Sequence, residues 1–400
     1  MIILVINAGS SSVKFTIFDM ADQKKVLASG LIERIGIEGT SMKYTNFRGE
    51  EVKGEVPVKN PKDAVKIITE RLLDARVGVL KSMSDIKAIG HRVVQGMEKI
   101  IEPVLLDEKA KTIVRECGVL APLHNPHNLM GIEACEAVLP GVPNVGVFDT
   151  AFHSTMPSRA FLYALPYKYY EEDHIRRYGF HGTSHGFVAK AAAALDGRPL
   201  NSLKIITAHL GNGCSLAAVK NGQCQDTSMG LTPLEGVIMG TRSGDLDASA
   251  VLYIMKKDGL TPDQADNLLN KKSGVLGLAS IGSSDLRDVE AEANKGNKLC
   301  AQALEVFAYR VKKYIGSYMA ALGGLDILVF TAGVGENSST MRAAICQDLE
   351  GIGLKLDAQK NSVRSPEPRV VSTGDSPIKI HVIPTNEELA IAEATLKLVG

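Results

Sequence analysis

Residues 6–15 of the chain read INAGSSSVKF. Ahead of it Ile2, Ile3, Leu4 and Val5 form an apolar run with the length of a buried strand. Behind it Val13, Phe15 and Ile17 alternate with Ser12, Lys14 and Thr16. Two strands therefore flank a turn of small residues. A hairpin reverses on a single glycine, so an asparagine, three serines and a lysine exceed what the turn requires. A second stretch, KIITAHLGNGCSLAAVKNG at 204–222, repeats the design: a buried strand, a polar residue (Asn7, His209), a glycine (Gly9, Gly211), small polar residues, then an alternating strand. The echo points to two halves of one design, against the alternative that any two hairpins share these features.

Strand-like and helix-like runs alternate along the rest of the chain, which argues α/β. A strand at 144–148 follows a helix at 128–139. A strand at 204–207 follows an alanine-rich helix around 187–195, and a strand at 326–330 follows a long helix at 299–322. The tyrosine-rich, proline-bearing segment 157–179 reads as a linker or a lobe edge. Near the end IKIHVI reads as a strand, PTNEE as a turn and the remainder as a helix. Thr385 and Glu388 spell a capping box for that helix, which leaves Glu387 without a structural task.

A chain of 400 residues is too long for one compact core, so two domains are expected. Lysine plus arginine equals aspartate plus glutamate at 45 each, which leaves no global field for nucleic acid or an anionic membrane; any bound anion must be held by local charge. The six cysteines are scattered without a C-x-x-C pair, as expected of free thiols in a reducing cytoplasm. The first residues lack a basic segment and meet polar residues by Asn7, so they do not read as a signal peptide. No apolar run approaches the ~20 residues of a membrane span.

Three Gly-rich turns follow strands: NAGSSS at 7–12, HLGNGCS at 209–215 and TAGVGENSS at 331–339, the last opening a helix at Asn337 or Ser338. Such turns expose N–H groups and hydroxyls that suit phosphate oxygens, and three together favour a nucleotide, although neither a P-loop nor a Rossmann glycine motif occurs. Arg92 in IGHRVVQG and Arg242 in MGTRSGD stand in apolar or glycine-flanked settings. Their planar forks match a carboxylate or phosphate, or else a structural salt bridge. Asp149 ends a strand, where open α/β sheets contact ligands, though an Asp turn or a helix cap would serve equally. His124 and His127 in APLHNPHN lack a third zinc ligand nearby. His185 reads as a cap or surface residue, and His181 as the better ligand contact.

Taken together these motifs resemble the acetate kinase family. The resemblance is carried by VINAGSSSVK, GHRVV, APLHNP, FDTAFH, RRYGFHGTSH, AHLGNGCS, MGTRSGD, TAGVGENS and PTNEEL, in the family's order and nearly end to end. It implies membership of the sugar kinase, Hsp70 and actin superfamily: a two-lobed, duplicated RNase H-like fold with the nucleotide in the interdomain cleft. It further implies an N-terminal lobe of 1–150 plus 385–400, a nucleotide-binding lobe of 151–384, and a cytoplasmic homodimer.

The activity implied is reversible, Mg²⁺-dependent (or Mn²⁺-dependent) transfer from ATP to acetate, giving acetyl phosphate and ADP. Arg92 and Arg242 would hold acetate and the moving phosphoryl group. His181 would donate a hydrogen bond to that group, and Asp149 would orient the attacking carboxylate or the metal shell. Asn7 and Glu387 would position the metal, and Val94, Leu123, Phe180 and Pro233 would form the pocket for the methyl group. Lys14, His209, Leu210, Gly211, Asn212 and Gly213 would serve the phosphates. Asp285, Leu286, Arg287, Gly333, Val334, Gly335, Glu336 and Asn337 would serve the adenine and ribose. Gln95 and Met97 stand where relatives commonly carry His and Gly, and Ala248 where a proline is usual; the first two adjoin the substrate pocket. A propionate or butyrate kinase on the same scaffold, or an actin-like or Hsp70-like ATPase, are the competing expectations.

Overall fold

The computed structural model describes residues 1–122 and 124–400; Leu123 lies outside the described residues. The chain divides into two compact units, Met1–Phe152 with Asn386–Gly400, and His153–Thr385.

The first unit is built on an eight-stranded sheet. Its strands are β1 (Ile2–Ala8), β2 (Ser12–Asp19), β3 (Lys25–Glu33), β4 (Ser41–Asn46), β5 (Glu51–Glu55), β6 (Ile86–Val93), β7 (Val104–Leu105) and β8 (Asn144–Phe148), in the order β5-β4-β3-β2-β1-β6-β8-β7. The hairpin β1/β2 is antiparallel, whereas β6 lies parallel to β1 and β8 parallel to β6. Alternation along β1 divides its side chains between two cores. Leu4 and Ile6 join Phe15, Ile68 and Cys135 beneath the helices Pro61–Leu72 and Asn125–Val138. Ile3 and Val5 face Ile391 and Ala392 of the terminal helix Glu387–Val399. That helix rests against β6 at Gly90, where a Cβ would stand 2.5 Å from Thr395 Oγ1 and 2.6 Å from Ile391 Cγ2; only glycine permits so close an approach.

The second unit holds a six-stranded sheet of β9 (Lys204–Leu210), β10 (Cys214–Lys220), β11 (Gln223–Thr227), β12 (Ile327–Thr331), β13 (Arg369–Val370) and β14 (Lys379–Val382), in the order β11-β10-β9-β12-β14-β13. Its first five strands in that order repeat the connectivity and directions of β3-β2-β1-β6-β8, with β10/β11 and β9/β10 antiparallel and β12 and β14 parallel to β9. The two hairpins that echo each other in sequence are thus the equivalent central hairpins of two like sheets. The fold is α/β and internally duplicated.

Two local expectations are corrected. The terminal helix is capped by Asn386, whose side chain accepts from the Leu389 N–H at 2.9 Å. Asn386 lies one residue nearer the helix than Thr385, whose hydroxyl bonds Ser184 Oγ instead, and Glu388 pairs with Lys14. TAGVGENSS is not an open turn: the helix Ala332–Asn337 begins directly after β12, and Ser338 caps a further helix, Ser339–Cys346.

Candidate active site

In the first unit the carboxyl ends of β6 and β8 place Arg92 and Asp149 side by side. Arg92 donates from Nε to Asp149 Oδ1 at 3.0 Å and from Nη2 to Oδ2 at 2.6 Å. Burial opposes the guanidinium charge, but the Asp149 carboxylate more than compensates, so the Arg92 pKa is raised. Both Asp149 oxygens are engaged on one edge of the fork, which leaves Nη1 for a ligand. Asp149 therefore touches Arg92, where the family resemblance implies a role toward the attacking carboxylate or the metal shell.

Glu387, at the first turn of the terminal helix, belongs to the same charge cluster. Burial pushes its carboxyl up to about 7; Arg92 opposes the rise, and Asp149 and Glu388 add to it. Asn7 is the penultimate residue of β1, opposite Lys14 in the β1/β2 register. The Lys14 ammonium is taken up by Glu388. The loop after β6 is held by two asparagines of APLHNPHN. Asn128 accepts from the Val94 N–H at 3.1 Å and donates to the Ala8 carbonyl at 2.8 Å, while Asn125 accepts from the Gln95 N–H and donates to its carbonyl. Sequence reasoning missed both, although N-P-H-N on a helix start carries amides well suited to bind loose backbone. Val94 is buried, and so is Gln95, whose Oε1 accepts from the Met97 N–H at 2.9 Å.

In the second unit His181 precedes the helix Gly182–Asp196 with φ of 55°, a left-handed conformation that strains a side-chain-bearing residue. Its ring stacks on His209 at 4.2 Å. A Cβ on Gly213 would stand 3.5 Å from both His181 Nε2 and Arg242 Nη1, so the two side chains flank the second glycine turn. Arg242 has no carboxylate partner among the described residues; Nη1 reaches only the Pro233 carbonyl at 3.5 Å and Met239 Sδ at 3.7 Å. Burial without compensation lowers its pKa. The loop that carries it is nonetheless held in place, because the Met239 carbonyl accepts from Val275, the Thr241 carbonyl from Ser273, and the Arg242 carbonyl from Met239. Phe180 is buried beside His181 and Pro233 half-buried beside Arg242. His185 is fully buried rather than a cap or surface group.

A cavity of about 540 Å³ opens next to this cluster. Its walls include Gly211, Asn212, Asp285, Leu286, Arg287, Gly333, Val334 and Asn337, residues drawn from three separate stretches of the chain. Ser284, Glu290, Ser338 and Arg364 also line it; Arg364 stands in a loop with no motif to announce it. His209 lies on β9 beside the second glycine turn, and Leu210 is buried, so only its backbone could face a ligand. Glu336 and Gly335 are placed elsewhere. The Glu336 carboxylate folds back to accept the N–H groups of Ala332 at 2.8 Å and Thr385 at 3.1 Å, and Gly335 packs on Phe330. Glu336 thus holds the strained Ala332, at φ of 63°, over the start of its helix. Asp285 caps the helix Leu286–Asn294 and forks onto Arg287.

A glycine turn, an uncompensated arginine, a donor-capable histidine and an adjoining cavity together suit a phosphate-bearing ligand. Comparison with known proteins agrees: the profile of the acetokinase family matches residues 2–393. The chain belongs to the acetokinase family. Among curated members of the family, the acetate kinase of Dictyoglomus turgidum is 55% identical over 400 residues, covering 100% of this chain and 98% of that protein. The acetate kinase of Thermoanaerobacter pseudethanolicus is 55% identical over 398 residues, covering 99% and 98%. Among solved structures, Porphyromonas gingivalis acetate kinase superimposes with a TM-score of 0.96 at 45% identity over the whole of both chains. A propionate kinase from Francisella tularensis gives 0.92 at 41% identity over 99% of each.

Proposed function

We propose that this chain is an ATP:acetate phosphotransferase that forms acetyl phosphate and ADP reversibly by direct in-line transfer. The observation that carries the reading is Arg242: a largely buried guanidinium with no carboxylate partner among the described residues, flanking Gly213 with His181. Buried arginine is ordinarily paired, so a site left in this state is arranged for an anion that arrives. Family membership supports the same substrate class.

Ionised acetate is already a nucleophile, so the residues need only hold, align and neutralise. In the first unit Asp149 fixes Arg92 by one edge and leaves Nη1 to take a carboxylate oxygen; Val94 contributes apolar wall. In the second unit the Gly211–Gly213 turn offers backbone N–H groups to phosphates, Arg242 and His181 meet the charge that spreads over the transferring group, and the cavity takes the nucleoside. Phe180 and Pro233 give the second unit apolar surface of its own beside His181 and Arg242.

Asn7 and Glu387 fit a hard divalent cation. A half-buried carboxyl whose pKa has risen to about 7 is one that a cation would relieve, and Mg²⁺ commonly takes only one or two protein oxygens besides phosphates and water. When bound, Mg²⁺ neutralises the phosphate oxygens. A homodimer belongs to the reading as well. The helix Ala248–Asp258 buries none of its residues yet carries Leu252, Tyr253 and Ile254, exposed by 56%, 68% and 36%, an apolar surface of the kind that partners cover. All six cysteines are buried and unpaired, in keeping with a cytoplasmic enzyme, and no helix among the described residues is long and apolar enough to cross a membrane.

A hydroxylamine trap for acyl phosphate tests the reading, run with ATP, Mg²⁺ and acetate, propionate or butyrate. Hydroxamate formed best from acetate is expected. A higher kcat/KM with propionate would move the chain to the second reading, for which the propionate kinase neighbour is the precedent. No hydroxamate from any acid would refute both.

A further inference from the structure

His185 is wholly buried, yet both of its ring nitrogens are engaged: Nδ1 lies 2.7 Å from the Thr207 hydroxyl and Nε2 2.8 Å from the Ser215 hydroxyl. Ser215 Oγ also lies 2.8 Å from Nδ1 of His181. A continuous chain therefore runs from Thr207 in β9 through His185 and Ser215 to the ring that flanks Gly213. Burial keeps His185 neutral, since its pKa is driven well below the ordinary value, with His153 and His209 adding to the effect.

A neutral imidazole has one N–H and one lone pair, so the chain admits two directions. In the first, Thr207 donates to His185 Nδ1, His185 Nε2–H donates to Ser215, and Ser215 donates to His181 Nδ1. The remaining proton of a neutral His181 then sits on Nε2. In the second, every bond reverses: His181 Nδ1–H donates to Ser215, Ser215 to His185 Nε2, and His185 Nδ1–H to Thr207. The Thr207 hydroxyl hydrogen is then stranded, because Thr207 is 0% exposed and His185 Nδ1 is its one side-chain partner among the described residues. A buried donor without an acceptor is costly enough to disfavour that direction by about tenfold or more.

We propose that Thr207, His185 and Ser215 are positioning residues that hold His181 in the neutral tautomer protonated on Nε2, so that the ring presents a donor, not a lone pair, to the transferring phosphoryl oxygens. The identity of the acceptor rests on the kinase reading above; the tautomer is a property of the unliganded protein. Among the groups facing His181 are the stacked His209 ring, His185 and the Arg242 guanidinium across Gly213. His209 is backed in a parallel way, by Ser184 Oγ at 2.8 Å from its Nδ1 and Thr385 Oγ1 at 2.8 Å from Ser184.

The tautomer is read from nitrogen–proton multiple-bond NMR spectra of the full-length protein carrying nitrogen-labelled histidine, with the His181 signals identified by their loss in His181→Gln. Nε2-protonated His181 and His185 at pH 8 are expected, with the other His181 tautomer at about a tenth or less. A His181 ring protonated mainly on Nδ1 would overturn the proposal whatever the enzyme's activity, and absent acyl phosphate with the expected tautomers would instead overturn the kinase reading. A kinetic arm adds Ser215→Ala, which cuts the chain. Because imidazolium donates from Nε2 in either arrangement, any loss of kcat in the variant should show at pH 8 to 9 and shrink toward pH 6, with little change in KM. Thr207→Ser, which keeps the hydroxyl, should retain the wild-type tautomer and profile. A loss equal at all pH values would assign Ser215 a merely structural part.

Discussion

The Arg92–Asp149 pair offers the sharpest test of how the first unit is built. Asp149 is 1% exposed and the Arg92 side chain 24%, and the two share paired hydrogen bonds of 3.0 and 2.6 Å. Removing one partner of a buried pair leaves an uncompensated charge and costs about 3–5 kcal/mol. Arg92 keeps some solvent contact, which places Asp149→Asn and Arg92→Met near the lower end, about 3 kcal/mol each. At about 2–4 °C per kcal/mol for a domain of this size, either single variant should lower the unfolding midpoint of its unit by about 6–12 °C. The double variant strands no charge, so it should be destabilised by less than the sum of the singles, with a coupling of about 2 kcal/mol or more. Differential scanning calorimetry of the four proteins measures it. Single effects that add to within about 0.5 kcal/mol would show that Asp149 does not anchor Arg92, and its place would return to direct contact with substrate or metal.

Arg242→Ala should lower kcat by on the order of 10² or more while leaving the melting temperature nearly unchanged, since the side chain forms no ion pair to lose; near-normal turnover would exclude it from phosphoryl contact. Glu387 supplies a pH test. Its folded pKa of about 7 exceeds the ordinary 4.5, so its contribution is present below 4.5 and is lost as pH rises through 7, at most about 3 kcal/mol. In metal-free buffer Glu387→Gln should therefore gain stability relative to wild type between pH 5 and 8, and a difference constant across that range would contradict the burial argument. At Gly240 a Cβ would stand 2.1 Å from Asn212 Oδ1, so Gly240→Ala should push Asn212 into the cavity and raise KM for ATP more than it lowers kcat. Unchanged nucleotide affinity would dissociate that cavity from ATP.

Much of the architecture was legible because it is written locally. Alternation at Val13, Phe15 and Ile17 and the apolar run before Asn7 specify a hairpin by period alone, and the copy at 204–222 announces a second one. The glycine turn at 211–213 was legible for the same reason. What local pattern could not show was which of several competing partners each polar side chain would choose. Thr385 and Glu388 have the spacing of a capping box, but Asn386 is nearer the helix and Lys14 nearer Glu388 once β2 and the terminal helix are packed. His185 looks like a helix-start residue in sequence, yet the sheet beneath buries it between Thr207 and Ser215.

The two repeated hairpins and the order of the polar residues around them are readable from the chain alone, since they depend on neighbours within a few positions. Tertiary structure alone decided that Asp149 clamps Arg92, that Arg242 is left without a carboxylate, and that Glu387 is buried enough to hold its proton near neutrality. Each of those states depends on desolvation and on charges brought together from distant parts of the chain, such as Arg92 with Asp149 and Glu387. Their free energies belong to the packed environment and are not properties of any segment that could be read in isolation.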